Sequence, residues 1–403
     1  MTPRYNCRHP LNHSFDEAMR FRCLCLTLLL TLPAAALAGF AEGRAAYDAG
    51  NYAEAHREWL PLAEANHAEA QLWLGRLHAQ GQGVTQDYRV AARWLYRAAQ
   101  QGHAPAQLEL GILNAEGLGL TRSMSEAAAW WRQAADQGEA EAQYRLGTLH
   151  ANGDGMPQDY TEAERWFRAA AEQGFAAARL SLGNLYQTGL GVPQSNSVAA
   201  EWYGKAAEQG LAGAQERLAH LYERGFGFRQ SFPLAAEWYR KAAEQGHSTA
   251  QVRLGALYEK GDGVARDYAQ AAAWYRNAAA QGSSTAQGAL GLLYEQGLGV
   301  AQDYAQAAAL YREQATGGHA PTLMRLGFLY RDGRGVPADP VIAQMCLLLA
   351  VGLGEGDAFE PSRALAQRLT PKQLKEAQAL VAAWLPGRPL PTQSKTGRPR
   401  GMW

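Results

Sequence analysis

Residues 139–174, EAEAQYRLGTLHANGDGMPQDYTEAERWFRAAAEQG, repeat themselves along the chain at a spacing of 36. The dipeptide Leu-Gly returns at Gly75, Gly111, Gly147, Gly183, Gly255, Gly291 and Gly327, with Ala219 alone breaking the series. A Gly-x-Gly follows six residues later, as at Gly81/Gly83 and Gly333/Gly335, and each unit closes on a further glycine, from Gly102 to Gly354. A strict period of this size marks a stacked array of supersecondary units, not a set of separate globular domains.

Two apolar blocks with helical spacing lie in every unit. The first carries Ala70, Leu74 and Leu77 or their equivalents, at i, i+4 and i+7, so one stripe of a helix is buried. The Gly-x-Gly ends this helix A, because glycine accepts the positive φ of a helix C-terminus. Helix B then opens at Asp87, Ser123, Asp159, Ser195, Ser231, Asp267, Asp303 and Asp339, all residues whose side chain can take up a free backbone N–H. Its interior repeats an aromatic beside alanines: Trp94, Trp130, Trp166, Trp202, Trp238 and Trp274, then Leu310 and Cys346. A ring at fixed helical spacing among small residues reads as packing between units.

The expected fold is therefore all-α, an α/α solenoid of eight helix–turn–helix units over 67–354. Residues 39–66 form an atypical N-terminal half-unit, with Asn51 at a cap position. Residues 355–385 form C-terminal capping helices, the last opening at Thr370-Pro371. The tail 386–403, rich in Pro, Gly and basic residues without apolar periodicity, reads as disordered.

Residues 1–38 read as a leader. Met19-Arg20-Phe21-Arg22 supplies a positive region, Cys23 to Leu32 an apolar run far shorter than a membrane span, and Ala38 a small residue for cleavage. Translation is expected to begin at Met19. With no cysteine after the cleavage point to take a lipid, the mature protein is expected in the periplasm or medium, without a stable membrane span. Charges balance at 38 basic and 38 acidic residues; removing the leader's four arginines and two acids leaves 34 against 36, about −2. That offers no basic face for nucleic acid. Of four cysteines only Cys346 lies beyond the leader, so neither a disulfide framework nor a cysteine metal site is available.

Runs such as Ala140-Glu-Ala-Gln143, Leu146-Gly147 and Trp166-Phe167, recurring from residue 40 to 385, resemble the Sel1-like repeat, a cousin of the tetratricopeptide repeat. The resemblance implies a right-handed superhelix of helix pairs and an adaptor that binds other proteins in a concave groove. Cysteine-rich secreted members of that family have been linked to β-lactam hydrolysis; this chain lacks those cysteines, so no hydrolase activity is carried over.

No His, Ser or Cys constellation stands out from the repeat background, and neither catalytic nor metal residues nor a cofactor are expected. His67, His103, His247 and His319 share one turn position, while His78 and His150 share a place otherwise held by tyrosine. Binding is sought where the units differ. On helix A, one register reads Trp73, Glu109, Arg145, Ser181, Arg217, Arg253, Ala289 and Arg325. Its arginines could form a broken ladder gripping an acidic segment or a carboxylate-bearing glycan. The competing reading is a solvated face with helix-internal pairs such as Glu141–Arg145. The expected function is thus a non-enzymatic interaction scaffold of the cell envelope, with envelope-glycan binding as its rival.

Overall fold

The computed structural model describes residues 39–397, and among them the only regular secondary structure is helical. Helix α1 (39–48) and α2 (Tyr52–Glu64) precede the array. The first helices of the eight units are α3 (Ala68–Gln80), α5 (Ala104–Glu116), α7 (Ala140–Asn152), α9 (Ala176–Thr188), α11 (Ala212–Arg224), α13 (Ser248–Lys260), α15 (Ser284–Gln296) and α17 (Ala320–Asp332). The second helices are α4 (Tyr88–Gln100), α6 (Met124–Asp136), α8 (Tyr160–Glu172), α10 (Asn196–Glu208), α12 (Phe232–Glu244), α14 (Tyr268–Ala280), α16 (Tyr304–Thr316) and α18 (Pro340–Gly352). A 3₁₀ turn at Gly356–Ala358, α19 (Phe359–Ala366) and α20 (Pro371–Ala383) follow. The array divides into two compact bodies, one running to Ala178 with Leu190–Val192, the other holding the remainder.

All eight expected caps of the second helices operate, each side chain accepting from backbone N–H groups of its first turn. Asn51 stands at the N-cap of α2, but its side chain makes no capping bond. Thr370 and Gln373 form a reciprocal capping box on α20. In the Gly-x-Gly loop the first glycine is the left-handed cap of helix A, at φ 68° for Gly81. The second, Gly83 at φ 69°, lies on the backbone of Tyr52 and Ala53 in the preceding second helix, where no side chain fits.

The Leu-Gly glycines have a different role. A Cβ on Gly255 would lie 2.7 Å from the Tyr275 ring, and one on Gly327 would lie 3.0 Å from Leu347. Every member of the series faces the residue twenty places on: Leu95, Trp131, Phe167, Tyr203, Tyr275, Tyr311 and Leu347. These are the fully buried large residues of the second helices, not the tryptophans one place earlier. Trp166 is buried, but Trp94, Trp130, Trp202, Trp238 and Trp274 are half-buried. Trp94 and Trp130 pack against the core of the preceding unit, and a cation covers the outer side of several rings, as Lys241 does 3.9 Å from Trp238. The expected packing role of the tryptophans is thus shared with their neighbours.

A second lattice is polar. Buried Gln71 donates to the carbonyl of Ala63 (2.8 Å) and accepts from Gln101 (2.7 Å). The same pair of bonds recurs at Gln107 and Gln143 in one body and at Gln215 and Gln251 in the other. Each satisfies a carbonyl near the C-terminus of the preceding second helix, which would otherwise be stranded in the core.

The leader lies outside the described residues. The tail does not run free over 386–397: Leu390 is buried, the Gly387 N–H donates to the Thr316 carbonyl at 2.7 Å, and Ser394 binds Asp339. Composition pointed the other way, but Leu390 is an apolar anchor and two carboxylates, Asp339 and Glu376, accept from the Ser394, Lys395 and Thr396 N–H groups. Glu376 is held below the usual carboxylate range: burial opposes the shift, and bonds from Thr396 and Lys395 outweigh it.

Candidate functional site

The varying register of the first helices does not present a row of free cations. Trp73 is buried at 8% exposure. Its ring lies 4.9 Å from Tyr47 and 5.4 Å from Trp59, with the guanidiniums of Arg44 and Arg76 each 4.7 Å away. Its Nε1–H donates to Glu69. The ring closes the N-terminal end of the core and is not open to a ligand. Glu109 is engaged by Arg76 at 2.6 Å. Burial raises its pKa, against the pull of that arginine.

All four arginines of the register have carboxylate partners. Arg145 donates twice to Glu141, the helix-internal pair. Arg217 lies 3.7 Å from Glu216, Arg253 3.9 Å from Glu223, and Arg325 3.3 Å from Glu295. The ladder is therefore a checkerboard of charge. Two of its acids are themselves positioned by the core: Tyr239 donates to Glu223 at 2.6 Å and Tyr311 to Glu295 at 2.5 Å, as Tyr275 does to Glu259 at 2.7 Å where the register holds Ala289 in place of an arginine. Burial first, and then the glutamate acceptor, keep these phenols above their usual range, so they serve as donors and not as nucleophiles. This tyrosine–glutamate–arginine chain was not read from the sequence, although a Glu sixteen places before the Tyr recurs at 223, 259 and 295.

The arrangement leaves an open depression of about 490 Å³ in the second body, lined only by first helices and their leading turns. Asn184, Glu216, Arg217, His220, Thr249 and Arg253 face it. Such a surface offers both signs of charge, an amide and a hydroxyl within one side chain's reach of each other, which suits a polar polypeptide surface. Arg145 lines a separate depression of about 540 Å³ in the first body, with Tyr144 and Asp154.

The histidines of the two shared positions serve the scaffold, whereas His220 faces the depression. His67 and His247 accept the Ala70 and Ala250 N–H groups as helix caps, and His103 meets Glu69 at 2.7 Å. Burial lowers the pKa of His78 and His150. Cys346 is fully buried and its thiol is pushed up to about 12 by desolvation. Among the described residues no three His, Cys, Asp or Glu side chains converge as a metal site, and no helix is long and apolar enough to cross a membrane.

The Sel1 repeat model matches eight consecutive segments: 68–103, 104–139, 140–175, 176–211, 212–247, 248–283, 284–319 and 320–355. Among solved structures, the chain is similar to a protective antigen of uropathogenic Escherichia coli strains that displays an SLR fold. Identity is 30%, the alignment covers 89% of this chain and 93% of that one, and the TM-score is 0.50. It is also similar to a Sel1 repeat protein from Oxalobacter formigenes, with 32% identity, 60% of this chain and 96% of that one covered, and a TM-score of 0.55. No curated protein matches the chain.

Proposed function

The chain belongs to the Sel1-repeat family, whose members generally mediate protein–protein interaction and are generally not enzymes, and we propose that it is an interaction scaffold of the bacterial cell envelope. In this reading a partner protein docks along the first-helix face of the second body. The observation that carries it is the open depression around Arg217 and Arg253, with Glu216 and Glu223 at 3.7 and 3.9 Å from the two guanidiniums and Glu223 held before any partner arrives by the Tyr239 hydroxyl. Pre-fixed side chains lower the ordering cost of association. Export is supported by the arginine-led apolar leader ending at Ala38, and by the protective-antigen character of the E. coli relative. The protein would then act in the periplasm or outside the cell.

The test places a photo-crosslinking residue at Thr249 in the depression, or at exposed Glu237 on the second-helix side, in the living host. Discrete protein adducts from position 249 alone support the reading. Adducts from 237 alone, or retention on isolated peptidoglycan with no protein adduct, overturn it, the latter in favour of a glycan-binding role.

A further inference from the structure

A closure shared by several units is absent from the first, which has neither of its two residues. In later units an arginine of the second helix reaches the ring eighteen residues on: Arg132 meets His150, Arg240 Tyr258, Arg276 Tyr294 and Arg312 Tyr330, at 2.7 to 3.3 Å. At the first unit the same two places hold Tyr96 and Asn114. Tyr96 is 46% exposed and turns its hydroxyl to Gln100, while Asn114 folds back on the Leu110 carbonyl. With no ring at 114 and no arginine crossing to it, a cleft of about 640 Å³ opens between α4 and α6. Ala92 and Leu110 line it together with Tyr96, Leu120 and Trp130. The Tyr96 and Trp130 rings meet edge to face at 5.9 Å, and Leu120 is 37% exposed.

Beside this apolar cleft stand Arg89, Arg93 and Arg97, one per turn on the exposed side of α4. Unlike the arginines of the first-helix register, none has a carboxylate within 4 Å among the described residues. The Asp87 carboxylate is taken by the N–H groups of Arg89 and Val90, and Glu126 lies across the cleft. Three guanidiniums without a salt bridge therefore rim a hydrophobic slot, Arg97 lying 5.1 Å over the Trp94 ring and Arg89 and Arg93 sharing the field of Asp87. Successive arginines four residues apart on a helix are separated by about 6 Å along its axis. Alternate residues of an extended peptide are separated by about 7 Å. A small anion cannot engage all three, whereas an extended chain with acids at alternate positions matches them in step.

We propose that the α4–α6 cleft docks an extended acidic peptide segment of a protein partner, with one aromatic or long aliphatic side chain in the slot and carboxylates on Arg89, Arg93 and Arg97. This site is separate from the first-helix depression and does not depend on that depression being a docking surface.

The probe is a displayed library of random dodecapeptides, selected on the purified protein. The expected yield is sequences with Asp or Glu at alternate positions around an aromatic or aliphatic residue. In solution, binding of a selected peptide should fall at least tenfold in Arg93→Glu, and likewise in Asn114→Tyr, which restores the ring that other units carry. Asn114→His, matching His78 and His150, serves if the tyrosine variant loses its helical circular dichroism. Lys375→Glu, a charge reversal on the exposed side of α20 and outside both surfaces, should change nothing. The proposal is overturned if no sequence is enriched, if enriched sequences lack acids, or if binding survives both Arg93→Glu and the residue-114 variant. It is equally overturned if oligo-dT or phosphatidylglycerol vesicles bind in an Arg93-dependent way that filling the cleft does not affect, since the arginines would then be a general polyanion surface.

Discussion

Ser394 closes on Asp339, its N–H donating to one carboxylate oxygen at 2.8 Å and its hydroxyl to the other at 2.9 Å. The same carboxylate caps α18 through the Val341 and Ile342 N–H groups. One buried acid thus starts a helix and holds the C-terminal strap fifty-five residues away. Asp339→Ala is expected to cost about 2–4 kcal/mol, losing cap and strap together, whereas Ser394→Ala costs about 1 kcal/mol. Thermal unfolding gives the ranking, and limited proteolysis should cut within 386–397 faster in both variants. Equal resistance to protease in all three proteins would show that the strap is not held by this contact.

The approach of Gly255 to Tyr275 sets a second expectation. Gly255→Ala forces a methyl group into the ring and should cost about 1–3 kcal/mol despite alanine's better helix propensity. The double change Gly255→Ala/Tyr275→Ala should cost less than the sum of its parts, because the methyl enters vacated space. Additive losses in denaturant titrations would mean the two sites do not press on one another.

The glutamine lattice makes a third. Gln251→Leu leaves the Ala243 carbonyl without its partner inside the core, at a cost of about 1–3 kcal/mol, while the exposed Gln281 amide keeps the Asn277 carbonyl. Gln287→Leu should cost much less, since Gln287 instead meets Glu313 near the surface. Denaturant midpoints of the two variants decide the matter.

Acidity should loosen the fold before the carboxylates titrate. Burial lowers the pKa of His56, His78, His150 and His220 from the ordinary 6.5; His56 adds to the shift at His78, and Arg132 to that at His150. Below pH 6.5 the unfolded chain binds more protons than the folded one, so stability is fully present above that pH and declines as the pH falls toward the folded values. Melting temperatures measured from pH 7.5 to 5.5 should drop. His78→Tyr/His150→Tyr, which installs the residue of the other units, should flatten the drop.

The repeat made most of the architecture legible, because period, cap residues and loop glycines are local signals. Asp87, Gly81 and Thr370 do what their chemistry indicates wherever they stand. The site was harder to read. Arg253 looks like a free cation in its own helix, and only the fold brings Glu223, thirty residues earlier, within 3.9 Å. Trp73 stood out as a large aromatic in a polar register, but Tyr47 and Trp59 arrive from α1 and α2 to bury it. The cleft at Asn114 was written in the sequence as a missing ring; its meaning required knowing that the ring normally meets an arginine eighteen places before it. The tail misled because composition does not reveal that a single Leu390 and two distant acids suffice to anchor it.

The glutamine lattice also bears on how a gene of this kind can change length. Copying codons for 212–247 would give each new Gln an alanine carbonyl eight residues behind it and a second Gln thirty ahead, so the extra unit joins without a defect. Copying 284–319 would not, because Gly317 stands where the second Gln belongs and Leu323 replaces the first Gln of the unit beyond. Tandem duplication within 68–175 or 212–283 would therefore keep the hydrogen-bonded row intact, and near the end of the array, where the row has already been terminated, it would not.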